Sequence, residues 1–146
     1  MPRLIAQGGH RIHRWCVADN YRSRLMAPGD PVLFWVSGDG RQLARGIWGI
    51  GQVLRVNGFA GSAAADRAVA SWSEPPDRPS ADVDIPLFAE AVSDRSIRAA
   101  GIEDLEVQVQ PQGSNPSWIS TGQYVRLLRS SPSLAELRMR AAATVQ

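Results

Sequence analysis

The alternation of apolar and polar residues is most informative in residues 31–37, PVLFWVS, which lie between two turn sequences. Successive side chains of an extended chain point to opposite faces, so Val32 and Phe34 share one face of the predicted strand. Trp35 and Ser37 lie on the other face. Both faces carry apolar residues, and the pattern leaves open what Trp35 and Ser37 contact.

Three further segments have the composition of strands. Residues 46–56, GIWGIGQVLRV, form a predicted hairpin with residues 31–37, joined by the polar, arginine-bearing tip at residues 38–45. Residues 81–88, ADVDIPLF, and residues 105–110, LEVQVQ, both alternate apolar and polar positions. The sequence therefore predicts four strands.

Short helices are predicted between and after these strands. Residues 15–26, WCVADNYRSRLM, precede a Pro-Gly pair that ends a helix, and Ser93 and Gly101 have the positions of an N-cap and a C-terminal stop. Two capping boxes open C-terminal helices at Ser120 and Ser133. Strands outnumber helices and no βαβ repeat occurs, which favours an α+β domain built on a small curved sheet or barrel.

The composition indicates one ordinary globular domain. The chain has 146 residues, 44% hydrophobic and 21% charged, which is enough for a core without disulfide or metal. The single cysteine, Cys16, suits a reducing compartment. No apolar run reaches membrane-spanning length, and the N-terminus lacks the apolar core of a signal peptide. We expect a cytoplasmic protein with no membrane partner, its domain covering residues 15–146 after a poorly defined segment, residues 1–14.

The charge distribution is compatible with nucleic acid. Net charge is only +2, but all 16 basic residues are arginine and lysine is absent. Arginine keeps its charge and presents a planar fork that suits phosphate. This bias is also what a high-GC genome produces, so it has little weight by itself.

No catalytic or metal-binding pattern is present in the sequence. His10 and His13 have no Cys, Asp or Glu cluster near them to complete a zinc site. The chain lacks the GxSxG, HExxH and GxxxxGK[ST] motifs. The glycines of GIWGIG lie inside a predicted strand, which is the wrong context for dinucleotide binding. We expect neither an enzyme nor a cofactor.

The tryptophans are the strongest functional candidates. Any single one is most simply interpreted as a core residue, since indoles are usually largely buried. However, Trp35 shares a strand face with Ser37, and Trp48 lies on the partner strand between Gly46 and Gly49. Glycines beside an indole allow a flat ring or another backbone to approach closely. This arrangement would suit a flat ligand with a polar edge, such as a nucleobase.

Several motifs, taken in order, resemble an EVE domain. They are W-x(13)-GD-x-V-x-x-W-x-SG starting at Trp15, then ARGIWGIGQV, and then PQGSNP before a helix. EVE domains belong to the PUA-like superfamily, together with the YTH readers of methylated adenine. The resemblance covers residues 15–128 and implies a small mixed β pseudo-barrel of PUA-like type flanked by short helices. The family usually begins with a strand that carries a tryptophan or tyrosine well before Trp15. Either the real start lies upstream, leaving residues 1–14 with a truncated first strand, or this chain has lost an element that helps to wall the pocket.

The resemblance also implies an aromatic pocket for a modified base flipped out of DNA or RNA. Trp15 matches a cage tryptophan of YTH readers, and residues 112–115 match a loop that reads the base edge, with a tight turn as the alternative. The implied pocket residues are Trp15, Trp35, Ser37, Trp48, Trp72, Gln112 and Asn115.

Other predictions concern the surroundings of this pocket. Arg41 and Arg45, on the hairpin, are interpreted as solvated side chains placed for phosphate. Trp118 is interpreted as a hydrophobic staple of the following helix. Two alternatives remain: a structural or protein-interaction module with a degenerate pocket, or an ASCH-like enzyme acting on small nucleosides. The enzyme requires a lysine or acid in the cleft, and the chain has no lysine.

Overall fold

The computed structural model describes residues 10–38, 41–57, 79–110 and 116–143, the last four of these as backbone only. Its strands are β1 (Arg11–Cys16), β2 (Pro31–Val36), β3 (Gly46–Asn57) and β4 (Ser80–Ser93). Its helices are α1 (Tyr21–Arg24), α2 (Asp94–Ala99), α3 (Glu106–Val109), α4 (Thr121–Ser130) and α5 (Pro132–Ala143). All strand pairs are antiparallel, in the order β1-β4-β3-β2. The predicted α+β class and the β2–β3 hairpin are confirmed.

A β-bulge in the hairpin decides where Trp48 points. Phe34 pairs with Gly49, but the next residue, Trp35, pairs with Ile47, so Trp48 is an extra residue in β3. Such an insertion interrupts the alternation of side chains along the bulged strand. As a result Trp48 and Ile50, which regular alternation would place on the same face, pack into different apolar clusters.

Two apolar clusters form the core, one on each face of β2. The sheet–helix cluster lies between the sheet and the helices, and its buried members are Ile47, Ile50, Phe88, Ile97, Ile102, Leu105, Leu127 and Leu134. The aromatic cluster has Phe34, Trp48, Ala81, Val83 and Ile85 as its buried members. The side chains of β2 alternate between the two clusters, as the two-residue period of a strand requires. One face contacts the aromatic cluster through Val32, Phe34 and Val36, and the other contacts the sheet–helix cluster through Leu33 and Trp35.

The N-terminal elements differ from the prediction. The short helix predicted within residues 15–26 is present at Tyr21–Arg24, but residues 11–16 form β1, which pairs with β4 and was not predicted. The predicted start of the domain, between residues 14 and 15, therefore falls inside β1. A register shift between Ile12 and Arg14 breaks the alternation that would have identified β1 from the sequence. Asn20 caps the short helix, accepting hydrogen bonds from the backbone of the first turn.

Residues 105–110 were predicted as a strand, and this is wrong. They contain the helical turn α3, and the side chain of Gln108 explains the difference. Its Oε1 accepts a hydrogen bond from Leu105 N at 3.0 Å, and its Nε2 donates to Ile102 O at 2.9 Å. The buried amide therefore satisfies local backbone groups that a strand would have paired with a neighbour.

The later helix signals are largely confirmed. Ser93 Oγ accepts from the Ser96 backbone at 3.1 Å, and Ser120 forms the expected reciprocal capping box with Gln123. The last helix instead begins at Pro132, so Ser133 lies within it rather than at its cap. Proline is well suited to the first helical position, because its fixed φ matches the helix and no N–H is required there.

Candidate functional site

Trp48 is a core residue. Its side chain is 7% exposed within the aromatic cluster, and its Nε1 donates a hydrogen bond to Ala44 O at 2.8 Å. The indole is therefore both packed and satisfied by the protein's own groups.

The predicted convergence of the indoles on one slot is wrong. Trp15 packs in the aromatic cluster with its ring edge-on to Phe34, 5.2 Å between centroids and 73° between planes. Trp35 contacts the sheet–helix cluster, on the other face of β2 from Phe34. Because the bulge sends Trp48 to the aromatic cluster, Trp35 and Trp48 do not face each other. Period-2 reasoning could not anticipate this one-residue insertion.

The glycines beside Trp48 make room for the protein's own chain. A Cβ on Gly46, whose φ is +150°, would lie 2.2 Å from the carbonyl oxygen of Val92. A Cβ on Gly49 would lie 2.7 Å from a methyl carbon of Ile85. Of the two predicted uses of these glycines, the approach of a neighbouring strand is the one that the structure shows.

The remaining predicted site residues are dispersed. Ser37 is exposed just beyond β2, and Arg41 is exposed in the hairpin tip. Arg45 is not solvated as predicted: its guanidinium donates to Val107 O at 3.3 Å and lies 3.6 Å from the Asp94 carboxylate. The remaining three predicted pocket residues, Trp72, Gln112 and Asn115, lie outside the described residues.

The accessible aromatic side chains are found elsewhere, at Trp118 and Tyr21, which are 46% and 65% exposed. The staple prediction for Trp118 is wrong, since the residue directly before the Ser120 cap is Ile119. Ile119 and Tyr124 both pack against the sheet–helix cluster, in the positions that a staple requires. The capping box at Ser120 is visible in the sequence, and the residue directly before it is Ile119. The sequence alone could therefore have identified Ile119, and not Trp118, as the staple residue.

Trp118 borders an open groove of about 510 Å³, which we call the Trp118 groove. Its wall comes from α1, α3 and the segment leading into α4, and includes Arg22, Glu106, Val109, Gln110, Trp118 and Gln123. Gln110 is the last described residue before residues 111–115, the predicted base-reading loop.

The Glu106 carboxylate connects two walls of this groove. It accepts a hydrogen bond from the Trp118 backbone N–H at 2.6 Å and forms an ion pair with Arg22. Burial raises the pKa of Glu106, but the Trp118 N–H and the Arg22 guanidinium outweigh it and leave the pKa below its usual value. Glu106 thus stays ionised at neutral pH and fixes both neighbours.

Arg22 also acts on Tyr21. Its Nε donates to the Tyr21 hydroxyl at 3.2 Å, and this bond lowers the pKa of the phenol. The guanidinium lies 5.7 Å from the centre of the Tyr21 ring. One arginine therefore links the exposed phenol of α1 to the carboxylate below Trp118.

Other classes of site find little support in the described part of the chain. There, no group of three or more His, Cys, Asp or Glu side chains is arranged to hold a metal ion. None of the helices described is long and apolar enough to cross a membrane. Comparison with known proteins finds no matching family model, no significantly similar curated protein and no significantly similar solved structure.

Proposed function

We propose that this domain is a non-catalytic nucleic-acid-binding module that stacks an unpaired base in the Trp118 groove. The observation that carries the proposal is the Trp118 indole, which is 46% exposed and anchored through its backbone to Glu106. The motif resemblance to EVE domains supports the same function, with a modified base as the preferred ligand and a PUA-like fold as its framework.

The groove has the chemistry of a base-stacking surface more than of a phosphate site. Stacking of a base on an aromatic side chain contributes about 1–3 kcal/mol and tolerates any base, since each has a π face. The charge of Arg22 is largely balanced by Glu106, so a phosphate would gain little there. Its planar guanidinium can still stack or donate to a base edge.

Phosphate contacts would come from arginines outside the groove. Arg41 is exposed in the hairpin tip and remains a candidate for this role. Arg45 is held by Val107 and Asp94, so its prediction as a phosphate contact has less support than that of Arg41. In the described part of the chain several arginines, among them Arg55 and Arg126, already pair with carboxylates, which predicts weak binding with a shallow dependence on salt concentration.

The test is fluorescence anisotropy with labelled single-stranded DNA and RNA octamers, each with and without methylated or hydroxymethylated bases. Trp118→Ala should weaken binding by about 5- to 150-fold, the equivalent of one lost stacking contact. Leu54→Ala is the matched control, because Leu54 is a similarly exposed apolar residue outside the groove lining. Equal affinities for the two variants would refute the groove as the binding surface.

A second candidate is a structural or protein-interaction module with a degenerate pocket. The observation in its favour is the separation of Trp35 and Trp48 into different clusters, which removes the aromatic pocket expected from the sequence. If no octamer binds the unmodified protein at micromolar concentration, this second function replaces the first.

A further inference from the structure

A second depression lies on the other side of the first turn of α4. It has a volume of about 220 Å³, and its lining includes Pro31, Ile50, Gln52, Asp84, Tyr124 and Arg138. We call it the Tyr124 cavity. Gln123 lines the Trp118 groove and Tyr124 lines this cavity, so two consecutive residues of α4 serve different sites. The volume corresponds to about seven water molecules at liquid density, enough for one small ring system.

Sheet register places two of the polar groups side by side. Gln52 of β3 pairs directly with Asp84 of β4, and both line the cavity. Gly51 permits this close pairing, because a Cβ there would lie 1.8 Å from the Asp84 carbonyl oxygen. The cavity floor is therefore built into the centre of the sheet, where backbone hydrogen bonds hold it rigid.

The two helices supply the opposite wall. The Arg138 guanidinium of α5 lies 5.8 Å from the centre of the Tyr124 ring of α4, within cation–π range. Burial raises the pKa of Tyr124, so its phenol remains protonated at neutral pH. Asp84 forms an ion pair with Arg11 and is only 17% exposed. The cavity thus combines a carboxylate on the sheet with a guanidinium and a phenol on the helices.

We propose that the Tyr124 cavity binds a planar lactam heterocycle, in which a ring N–H lies beside a carbonyl, as in guanine and hypoxanthine. The ring N–H donates to the Asp84 carboxylate, the acceptor on the sheet side. The carbonyl accepts from Arg138 or from the Gln52 amide, and Pro31 and Ile50 provide the apolar contact for the ring. In the same orientation adenine presents the reverse pattern, with an acceptor nitrogen towards the Asp84 carboxylate and an amino donor towards Arg138 or the Gln52 amide. This site does not depend on the function proposed for the Trp118 groove.

Isothermal titration calorimetry with free nucleosides tests the proposal. Guanosine and inosine should bind, and adenosine should bind at least about tenfold more weakly, because its ring nitrogen and amino group face protein groups of the same hydrogen-bonding type. Arg138→Gln should weaken guanosine binding by about tenfold, and Tyr124→Phe, which keeps the ring, by a few-fold. Arg129→Gln, an exposed arginine on α4 outside the cavity lining, should have no effect.

The outcomes separate this site from the groove. Trp118→Ala should leave guanosine binding unchanged, whatever it does to octamer binding. A short oligonucleotide with a central guanine that displaces guanosine identifies a base within a strand as the natural ligand, and no displacement identifies the free nucleoside. Absence of guanosine binding at millimolar concentration, equal binding of adenosine, or an equal loss in Arg129→Gln and Arg138→Gln would each overturn the proposal.

Discussion

Replacement of Trp48 by alanine is the most direct test of the core described above. The change removes an indole that is 7% exposed and packs with Phe34, and it deletes the hydrogen bond to Ala44 O. Truncating a buried tryptophan to alanine typically costs about 3–5 kcal/mol, from lost apolar transfer and the cavity left behind. Ala44 is an exposed residue, so water can replace the indole as the partner of its carbonyl, and the lost hydrogen bond adds little.

This loss is a large part of the stability of an ordinary domain, which is about 5–15 kcal/mol. With a urea m-value of about 2 kcal/mol/M, the unfolding midpoint should fall by roughly 1.5–2.5 M. Far-UV circular dichroism is the appropriate probe, because removing an indole alters the fluorescence signal itself. Trp48→Phe keeps most of the ring and should lose less, which gives a measurable variant if the alanine protein is unfolded.

Trp118→Ala is the matched comparison, since surface substitutions usually change stability by less than about 0.5 kcal/mol. A Trp48→Ala protein as stable as Trp118→Ala would refute the assignment of Trp48 to the core. It would also restore the original expectation that this indole faces a ligand.

Two further predictions concern a glycine and a carboxylate. Gly46→Ala should destabilise the protein by more than about 2 kcal/mol, because φ is +150° and the new Cβ would overlap a β4 carbonyl. Gly122→Ala within α4 should instead stabilise the protein by about 0.5–1 kcal/mol, because alanine favours the helix over glycine. Thermal unfolding of both variants checks this, and equal shifts would contradict it. Burial raises the pKa of Asp82, but hydrogen bonds from Arg55 and Arg14 outweigh it and hold the pKa below its usual value. A carboxyl with a depressed folded-state pKa stabilises the fold above its unfolded pKa of about 3.9, and this contribution is lost as pH falls through the folded-state value. Asp82→Asn should therefore cost about 1–2 kcal/mol at pH 7 and less at pH 3 in urea unfolding, and a constant difference would count against the pairing.

Much of the fold could be predicted because its signals are local. The hairpin strands, the start of β4, and the caps at Ser93 and Ser120 depend on residues within a few positions of one another. The failures have a common cause, which is dependence on distant partners. β1 is a strand because β4 pairs with it, and the Gln108 amide that organises α3 also donates to Asp94, which lies 14 positions away.

The candidate site depended even more on tertiary structure. The sequence identified Trp35 and Trp48 as neighbours on a hairpin, and they are, but the bulge places them in different clusters. Arg45 was predicted to be solvated because its partner Val107 is 62 positions away. Trp118, by contrast, was identified in the sequence and assigned to the wrong contact.

The sequence alone determined the α+β class, the hairpin and the helix starts at Ser93 and Ser120, because alternation and capping are properties of adjacent residues. The tertiary structure decided which side chains are buried, paired or exposed. A single inserted residue moves an indole to another cluster, and an ion pair joins residues that lie far apart in the chain. Only the folded chain could therefore show that Trp48 belongs to the core and that Trp118 lies on the surface.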